Sequence, residues 1–309
     1  MTALLYVIVK LAIMVSLGIC LRKFRVIDER IQKGLSELLL KAILPFSIIS
    51  SANYDYSIEL VKAMLATGAA AMCYYAVTLV LMRKLSKKLP LEDDEKRIFV
   101  TMTVFANTGF VGFPLMYALY GERGLLLAVI FNMVYNLFMY TYGIHLVSGK
   151  KGELRQLILN PVTIASVAAI ALFISPFRLP EIIVDPVADI GAMTIPLSMI
   201  IIGSSIATLP FLKVISDVKA YVTSLMRLVI IPGLALLAMF ILYRLVPIMP
   251  TTAAVIVLMC ALPCGSMNVI FSEKYNCAPK FAARSVVQSM LLMVITLPIM
   301  IFFCSIIFV

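Results

Sequence analysis

Ten apolar runs of about 20 residues follow one another along the chain, and they constrain its fold more than any other feature. Short charged or Pro/Gly-rich links separate them, and no link is long enough for an extramembrane domain. With 62% hydrophobic residues, the chain has more apolar surface than one soluble core of 309 residues could hide. We predict an all-α polytopic membrane protein with ten transmembrane helices. The predicted spans, numbered 1 to 10, are 2–21, 35–52, 60–82, 98–120, 124–147, 157–175, 187–208, 220–243, 252–272 and 285–308.

Lys and Arg residues are divided unevenly between alternate links. One set of links carries 19 of them, and the other carries three, or four when Lys62 is included. Because cytoplasmic loops collect basic residues, the first set is predicted to face the cytoplasm, with both termini outside the plasma (bacterial inner) membrane. The net charge of +10 lies in these links, so we expect no nucleic-acid partner. The first run lacks a basic leader and a cleavage site, so we expect a membrane helix and no cleaved signal peptide.

Two pairs of similar segments suggest an internal repeat. Pro45 in span 2 and Pro196 in span 7 each precede a Ser-containing stretch and lie 151 positions apart, and Gly109 in span 4 and Gly265 in span 9 lie 156 apart. Inverted repeats build carriers that bind their substrate near the middle of the bilayer. We predict two five-helix repeats, of opposite orientation because five is odd: residues 1–147 and 157–309.

Each interrupted span combines helix-breaking residues with polar side chains. Pro lacks the backbone N–H and clashes with the carbonyl four residues earlier, and Gly permits dihedrals that a helix interior disfavours. In hydrocarbon the freed backbone groups need protein, water or a ligand as partners. We predict that spans 4 and 9 are broken and cross at their breaks. The predicted substrate-binding residues are Asn107, Thr108, Gly109 and Pro114 in span 4, Pro263, Cys264, Gly265, Ser266 and Asn268 in span 9, and Asn136 in span 5.

The charge pattern around both breaks favours an anionic substrate. No charged residue occurs in 98–121 or in 246–272, whereas a site for a cation would be expected to bring a carboxylate. Exposed N–H groups at the start of a half-helix carry partial positive charge, equivalent to about half an elementary charge. A small organic anion such as a carboxylate fits this environment better than a metal ion.

Three basic residues, Lys10, Lys41 and Arg227, fall inside predicted spans, where a charge is costly. Each lies about two turns from the end of its span, so its side chain can extend to the headgroups or pair with a neighbour. Glu37 precedes Lys41 by four residues, the spacing of a helical ion pair. A gating or substrate-charge role is the alternative, and Lys41 is its strongest candidate because it precedes Pro45 in a repeated segment.

At its interrupted spans the chain resembles the auxin efflux carrier family, within the bile acid/auxin carrier superfamily; the family includes plant PIN proteins and bacterial malonate-type carriers. The resemblance rests on "ANTGFVGFPLMYALYG" (106–121) and "ALPCGSMNVIFSEKYN" (261–276), with weaker support at 158–170, 195–207, 227–237 and 295–301. It implies inverted repeats, crossing spans 4 and 9, and elevator-type transport of small carboxylates. It also implies that spans 1, 2, 6 and 7 form a scaffold, often a homodimer, while spans 3–5 and 8–10 carry the substrate. The long central loop of many plant members is missing here, which weighs against auxin.

Other functional classes fit the sequence less well. The HExxH, GxSxG and P-loop motifs are absent and the chain has one His, so we expect no enzyme activity, metal or cofactor. A channel with a mid-membrane polar constriction is the alternative, since polar breaks also build filters. A receptor or structural role is a further one. We predict a secondary-active, alternating-access transporter of small organic anions, such as mono- or dicarboxylates.

Overall fold

The computed structural model describes residues 2–52, 57–149, 152, 154–175, 180–207 and 217–308, and within these ranges the protein is helical. The α-helices of the N-terminal half are Thr2–Lys23, Glu29–Leu38, Leu44–Ser51, Ile58–Ser86, Asp93–Val104, Phe113–Phe138, Ile144–Ser148 and Leu154–Ile158. Those of the C-terminal half are Pro161–Ile174, Glu181–Ala192, Thr194–Ala207, Val218–Leu225, Ile231–Leu245, Pro250–Cys260, Ser266–Lys274 and Pro279–Ile307. Part of the charge pattern, at Lys150, Lys151, Arg178 and Lys213, and the last residue of span 7 lie outside the described residues.

Six helical stretches among the described residues are long and apolar enough to cross a bilayer: Glu29–Ser51, Ile58–Ser86, Thr108–Ser148, Glu181–Ala207, Val218–Leu245 and Pro279–Ile307. Pro161–Ile174 and Pro250–Cys260 are apolar but shorter. The prediction of an all-helical protein with several membrane-spanning helices is confirmed. The count of ten spans and the inverted repeat stay predictions, because interruptions divide some predicted spans and others run together into one helical stretch.

Four π-helical turns lie within the described helices, and proline accounts for three of them. Each of the three ends two residues before a proline: Leu39–Ile43 before Pro45, Thr108–Gly112 before Pro114, and Met226–Ile230 before Pro232. The carbonyl that the proline ring would strike, four residues earlier, belongs to the middle residue of each turn. Because a π turn holds one extra residue, it relieves this clash and lets the helix continue.

The chain divides into two compact units, and unit 1 consists of residues 1–64, 109–133 and 158–209. Inside unit 1 the helices Thr2–Lys23 and Thr194–Ala207 approach closely, since a Cβ atom on Gly203 would collide with the carbonyl oxygen of Val15. Small residues allow membrane helices to pack at such short range. Gln32 adds a polar link to the same region, because its side chain bonds to both Ser204 and Ser205 at 2.7 and 2.9 Å.

Unit 2 consists of residues 65–108, 134–157 and 210–309. An aromatic cluster fills part of its interior: the ring of Tyr75 stacks on those of Phe105 and Phe138, with centroids 5.8 and 5.5 Å away, and Tyr135 meets Phe105 edge-on at 5.7 Å. Phe105 is completely buried, and the helix Asp93–Val104 ends there. The helix therefore stops where the chain enters this cluster.

Predicted spans 1, 2, 6 and 7 fall in unit 1, except for residue 157, together with parts of spans 3, 4 and 5. The remaining segments fall in unit 2. The division into scaffold and transport helices, and the homodimer, stay predictions.

Candidate functional site

Two helix interruptions meet inside unit 2. The helix Asp93–Val104 stops before Phe105, and helical structure resumes at Thr108. The helix Pro250–Cys260 stops before Ala261, and helical structure resumes at Ser266. We call the two non-helical segments, Phe105–Asn107 and Ala261–Gly265, the crossover. Every residue of both segments is buried. The interruption of these two segments and their contact agree with the prediction from sequence.

The two segments of the crossover are joined backbone to backbone. The N–H of Asn107 donates to the carbonyl of Pro263 at 2.9 Å, and the N–H of Gly265 donates to the carbonyl of Phe105 at 3.0 Å. The pair of bonds forms an isolated antiparallel bridge. It satisfies backbone groups that two broken helices would otherwise leave without partners in an apolar interior. The short approach depends on glycine, since a Cβ on Gly265 would lie 2.8 Å from the carbonyl oxygen of Ala106.

Asparagine side chains reinforce the crossover. Nδ2 of Asn107 donates to Oγ of Ser266 at 3.3 Å, and Nδ2 of Asn268 donates to the carbonyl of Phe105 at 2.9 Å. Each bond runs from one interrupted segment to the other. Asn107, Ser266 and Asn268, all predicted from sequence, therefore lie in one hydrogen-bonded arrangement.

One acceptor beside the crossover has no hydrogen-bond partner among the described residues. Asn268 is completely buried, and its Oδ1 receives no hydrogen bond from the described residues. An unpaired buried carbonyl oxygen costs about 1–3 kcal/mol, so a bound water or a ligand with a donor group would stabilise this position. Ser266 is partly exposed, which leaves this part of the crossover less tightly enclosed than the rest.

A buried arginine contacts both of the helices that end at the crossover. Arg227 lies in the π-helical turn Met226–Ile230 and has 0% of its surface exposed. Its guanidinium donates to four carbonyl oxygens, three at the carboxyl ends of the two helices and one in the crossover: Nη1 to Thr103 (3.1 Å) and Val104 (3.2 Å), Nη2 to Cys260 (2.9 Å), and Nε to Leu262 (2.7 Å).

Tyr74 completes the surroundings of the guanidinium. Its hydroxyl accepts a hydrogen bond from Nη1 of Arg227 at 2.6 Å and donates to the carbonyl of Val104 at 3.3 Å. Among the described residues, no carboxylate lies within ion-pair distance of Arg227. The sequence left open whether this side chain extends to the headgroups, pairs with a neighbour or has a gating or substrate role. Its complete burial contradicts extension to the headgroups, because the carbonyls freed at the helix interruptions give it partners inside the protein.

The structure places only some of the residues predicted to break span 4 in or beside the break. Asn107 lies in the break and Thr108 borders it, but Gly109 belongs to the π-helical turn Thr108–Gly112 and Pro114 to the helix Phe113–Phe138. The prediction that Gly109 and Pro114 interrupt the helix was wrong, because the π turn absorbs the proline ring. In span 9, Pro263, Cys264 and Gly265 do lie in the break.

Lys41 and Asn136 lie apart from the crossover segments in the chain. Lys41 is in unit 1 and exposed, and its Nζ pairs with Oε2 of Glu37 at 2.9 Å, as the spacing predicted. Asn136 is in unit 2 and 4% exposed, so its amide faces protein. Substrate contact by either residue stays a prediction.

Sequence reasoning missed the partners of the crossover that come from other helices. These include Tyr74, the carbonyl contacts of Arg227, and Ser289, whose Oγ accepts from the N–H of Cys264 at 3.0 Å. The available signal was an arginine in the middle of an apolar run with no acidic residue nearby, which requires some other set of acceptors.

Comparisons with known proteins agree with the resemblance seen at the interrupted segments. A family model described as membrane transport protein matches residues 3–157 and again 150–301. An uncharacterized transporter of Methanocaldococcus jannaschii is 23% identical over 289 residues, which cover 91% of this chain and 92% of the relative.

Proposed function

The chain belongs to the membrane transport protein family, and from this premise we propose that it is a secondary-active carrier of small organic anions, such as mono- or dicarboxylates, across the plasma membrane. The observation that carries the proposal is the crossover, where Asn107 and Gly265 bond to the carbonyls of Pro263 and Phe105. Interrupted helices that meet place backbone dipoles and amide side chains around a binding position inside the membrane.

The groups around the crossover suit an anion. No carboxylate occurs in 98–121 or 246–272, so no full negative charge in these segments repels a negative ligand. The amide of Asn107 and the hydroxyl of Ser266 are donors that can turn to a carboxylate oxygen. The helix Ser266–Lys274 begins here without a side-chain cap. The N–H of Asn268 donates to the carbonyl of Gly265, so the N–H groups of Ser266 and Met267 are the further donors at this helix end.

The proposed mechanism is alternating access of the elevator type. Spans 3–5 and 8–10 would move as one body against spans 1, 2, 6 and 7, exposing the site to each side of the membrane in turn. The buried backbone bonds of the crossover support such a movement, because they hold the binding groups in one geometry. Both termini on the outside and a dimer through the scaffold helices belong to the same proposal.

A ligand screen tests the substrate class. Purified protein is heated with acetate, lactate, malonate, succinate or phenylacetate, since a ligand that binds the folded state raises the unfolding temperature by mass action. At least one acid is expected to raise the unfolding temperature of the wild type, and the same acid is expected to raise that of Asn107→Ala by less. Asn160→Ala is the matched control: Asn160 caps the helix Pro161–Ile174 in unit 1, so its loss should leave the ligand response unchanged. No response to any acid would contradict the proposal.

Counterflow separates a carrier from a channel. Proteoliposomes loaded with the unlabelled acid are diluted into medium containing the labelled acid. A carrier exchanges the two and accumulates label transiently, and its flux saturates, whereas a channel equilibrates the label without acceleration from the opposite side. Saturable counterflow is expected; its absence alongside measurable flux would support the channel.

A further inference from the structure

We propose that Arg227 is the positioning residue of the crossover, and that its charge gives the site its preference for anions. The inference rests on the proposed function and extends it to a residue outside both interrupted segments. Arg227 does this from a third helix, Val218–Leu245, by binding the carboxyl ends of the two helices that stop at the crossover.

The hydrogen-bond geometry around Arg227 suits a guanidinium group, and a lysine ammonium could not make the same set of contacts. The N–H groups of the guanidinium form a rigid planar fork, and here the fork spans from Val104 on one helix end to Cys260 on the other and to Leu262 just beyond it. Both helix ends leave carbonyls without helical partners. One side chain therefore satisfies both sets and fixes the distance between them.

The helix dipoles alone do not make the crossover positive. Two helices end there, Asp93–Val104 and Pro250–Cys260, and two helical stretches start there, at Thr108 and Ser266. Each carboxyl end contributes about half a negative charge and each amino end about half a positive charge, so the four contributions nearly cancel. The sign of the site is then set by the nearest full charge.

Arg227 supplies that full charge, and among the described residues no full negative charge is paired with it. The residue is completely buried, its partners are carbonyls and the hydroxyl of Tyr74, and no described carboxylate pairs with it. A charge in such surroundings is only weakly screened by salt or water. The guanidinium thus attracts a carboxylate through the field of the site while its hydrogen bonds hold the backbone in place.

The experiment measures charge selectivity, because replacing an arginine with a purely structural role would leave charge selectivity unchanged. Each acid of the panel, acetate, lactate, malonate, succinate and phenylacetate, is compared with its uncharged primary amide by titrating the unfolding temperature. The wild type is expected to bind at least one acid about tenfold or more tightly than its amide. Arg227→Gln, which keeps amide donors but no charge, is expected to reduce this ratio to about twofold or less. Arg227→Lys, which keeps the charge without the fork, should retain the preference with weaker binding of both members.

The results of this experiment separate failure of the inference about Arg227 from failure of the proposed function. A preference for the acid that persists in Arg227→Gln overturns this inference and leaves the anion carrier standing. A wild type that prefers no acid to its amide overturns both. If Arg227→Gln cannot be purified as a folded protein, Arg227→Lys decides alone. An acid preference that is kept while both the acid and the amide bind more weakly supports the inference, whereas a lost preference or unchanged binding of both overturns it.

Discussion

Nη1 of Arg227 and the hydroxyl oxygen of Tyr74 are 2.6 Å apart, at the point where the helix Asp93–Val104 ends inside the protein. The same hydroxyl donates to the carbonyl of Val104 at 3.3 Å. A helix that ends in an apolar interior has no water for its last carbonyl groups, so side chains from other helices must replace it. Arg227 and Tyr74 take the place of water in this way for the helix Asp93–Val104.

Removing the Tyr74 hydroxyl tests how much its hydrogen bonds at the helix end stabilise the protein. Tyr74→Phe is expected to lower the free energy of unfolding by about 1–3 kcal/mol, because a buried charged group loses a hydrogen bond. Denaturant unfolding of the purified protein measures it. Tyr142→Phe is the matched control: Tyr142 accepts from Arg83 at the same 2.6 Å in an exposed place, so its loss should cost less than about 1 kcal/mol. Equal costs would argue that burial of the pair is unimportant.

A disulfide can report whether the crossover segments face each other. Ala106 and the native Cys264 are opposed in the antiparallel bridge, and opposed residues that do not share the bonds lie about 4.5 Å apart between Cα atoms, within the range of a disulfide. Ala106→Cys is therefore expected to cross-link to Cys264 on mild oxidation, detected as a linked peptide by mass spectrometry. Ala106→Cys with Cys264→Ser is the control. Failure to link under conditions that oxidise other thiols would contradict the bridge.

Two glycines predicted as site residues should respond differently to a methyl group. Gly265→Ala places a Cβ 2.8 Å from one backbone oxygen of the facing segment, whereas Gly109→Ala meets nothing within 4 Å. The first change is expected to lower the free energy of unfolding by about 1–3 kcal/mol through overpacking. The second should change it by less than about 0.5 kcal/mol. Thermal unfolding compares them, and similar losses at both sites would show that close approach does not explain Gly265.

Asp217 provides a test away from the crossover. Its Oδ1 accepts from the N–H groups of Lys219 and Ala220 at 3.1 and 3.3 Å, capping the helix that carries Arg227, and its Oδ2 pairs with Arg284 at 2.9 Å. Asp217→Ala should cost about 1–2 kcal/mol of unfolding free energy through the lost cap. Asp217→Asn keeps a capping oxygen and loses only the ion pair with the half-exposed Arg284, so it should cost less than about 1 kcal/mol. A reversed order would assign the stabilisation to the ion pair.

Local features of the sequence predicted the helical membrane fold and the interruption around Pro263 with good accuracy. Both depend on residues next to one another in the chain: hydropathy over one span, and the missing N–H of a proline. In span 4 the prediction included Asn107, which lies in the break, but also Gly109 and Pro114, which lie after it. Sequence identifies Pro114 as a helix breaker but does not indicate that a π turn will absorb it, while the preceding helix ends earlier, where Phe105 packs against Tyr75.

The sequence by itself determined that this protein is an α-helical membrane transporter with two polar interruptions free of carboxylates, because transfer free energy and backbone chemistry act along the chain. Only the tertiary structure decided which groups satisfy the freed backbone at those interruptions. The carbonyl of Thr103 and the guanidinium of Arg227 are 124 positions apart, and no local pattern encodes that contact. A buried charge is stable only where several distant acceptors converge on it, and that convergence exists only in the folded chain.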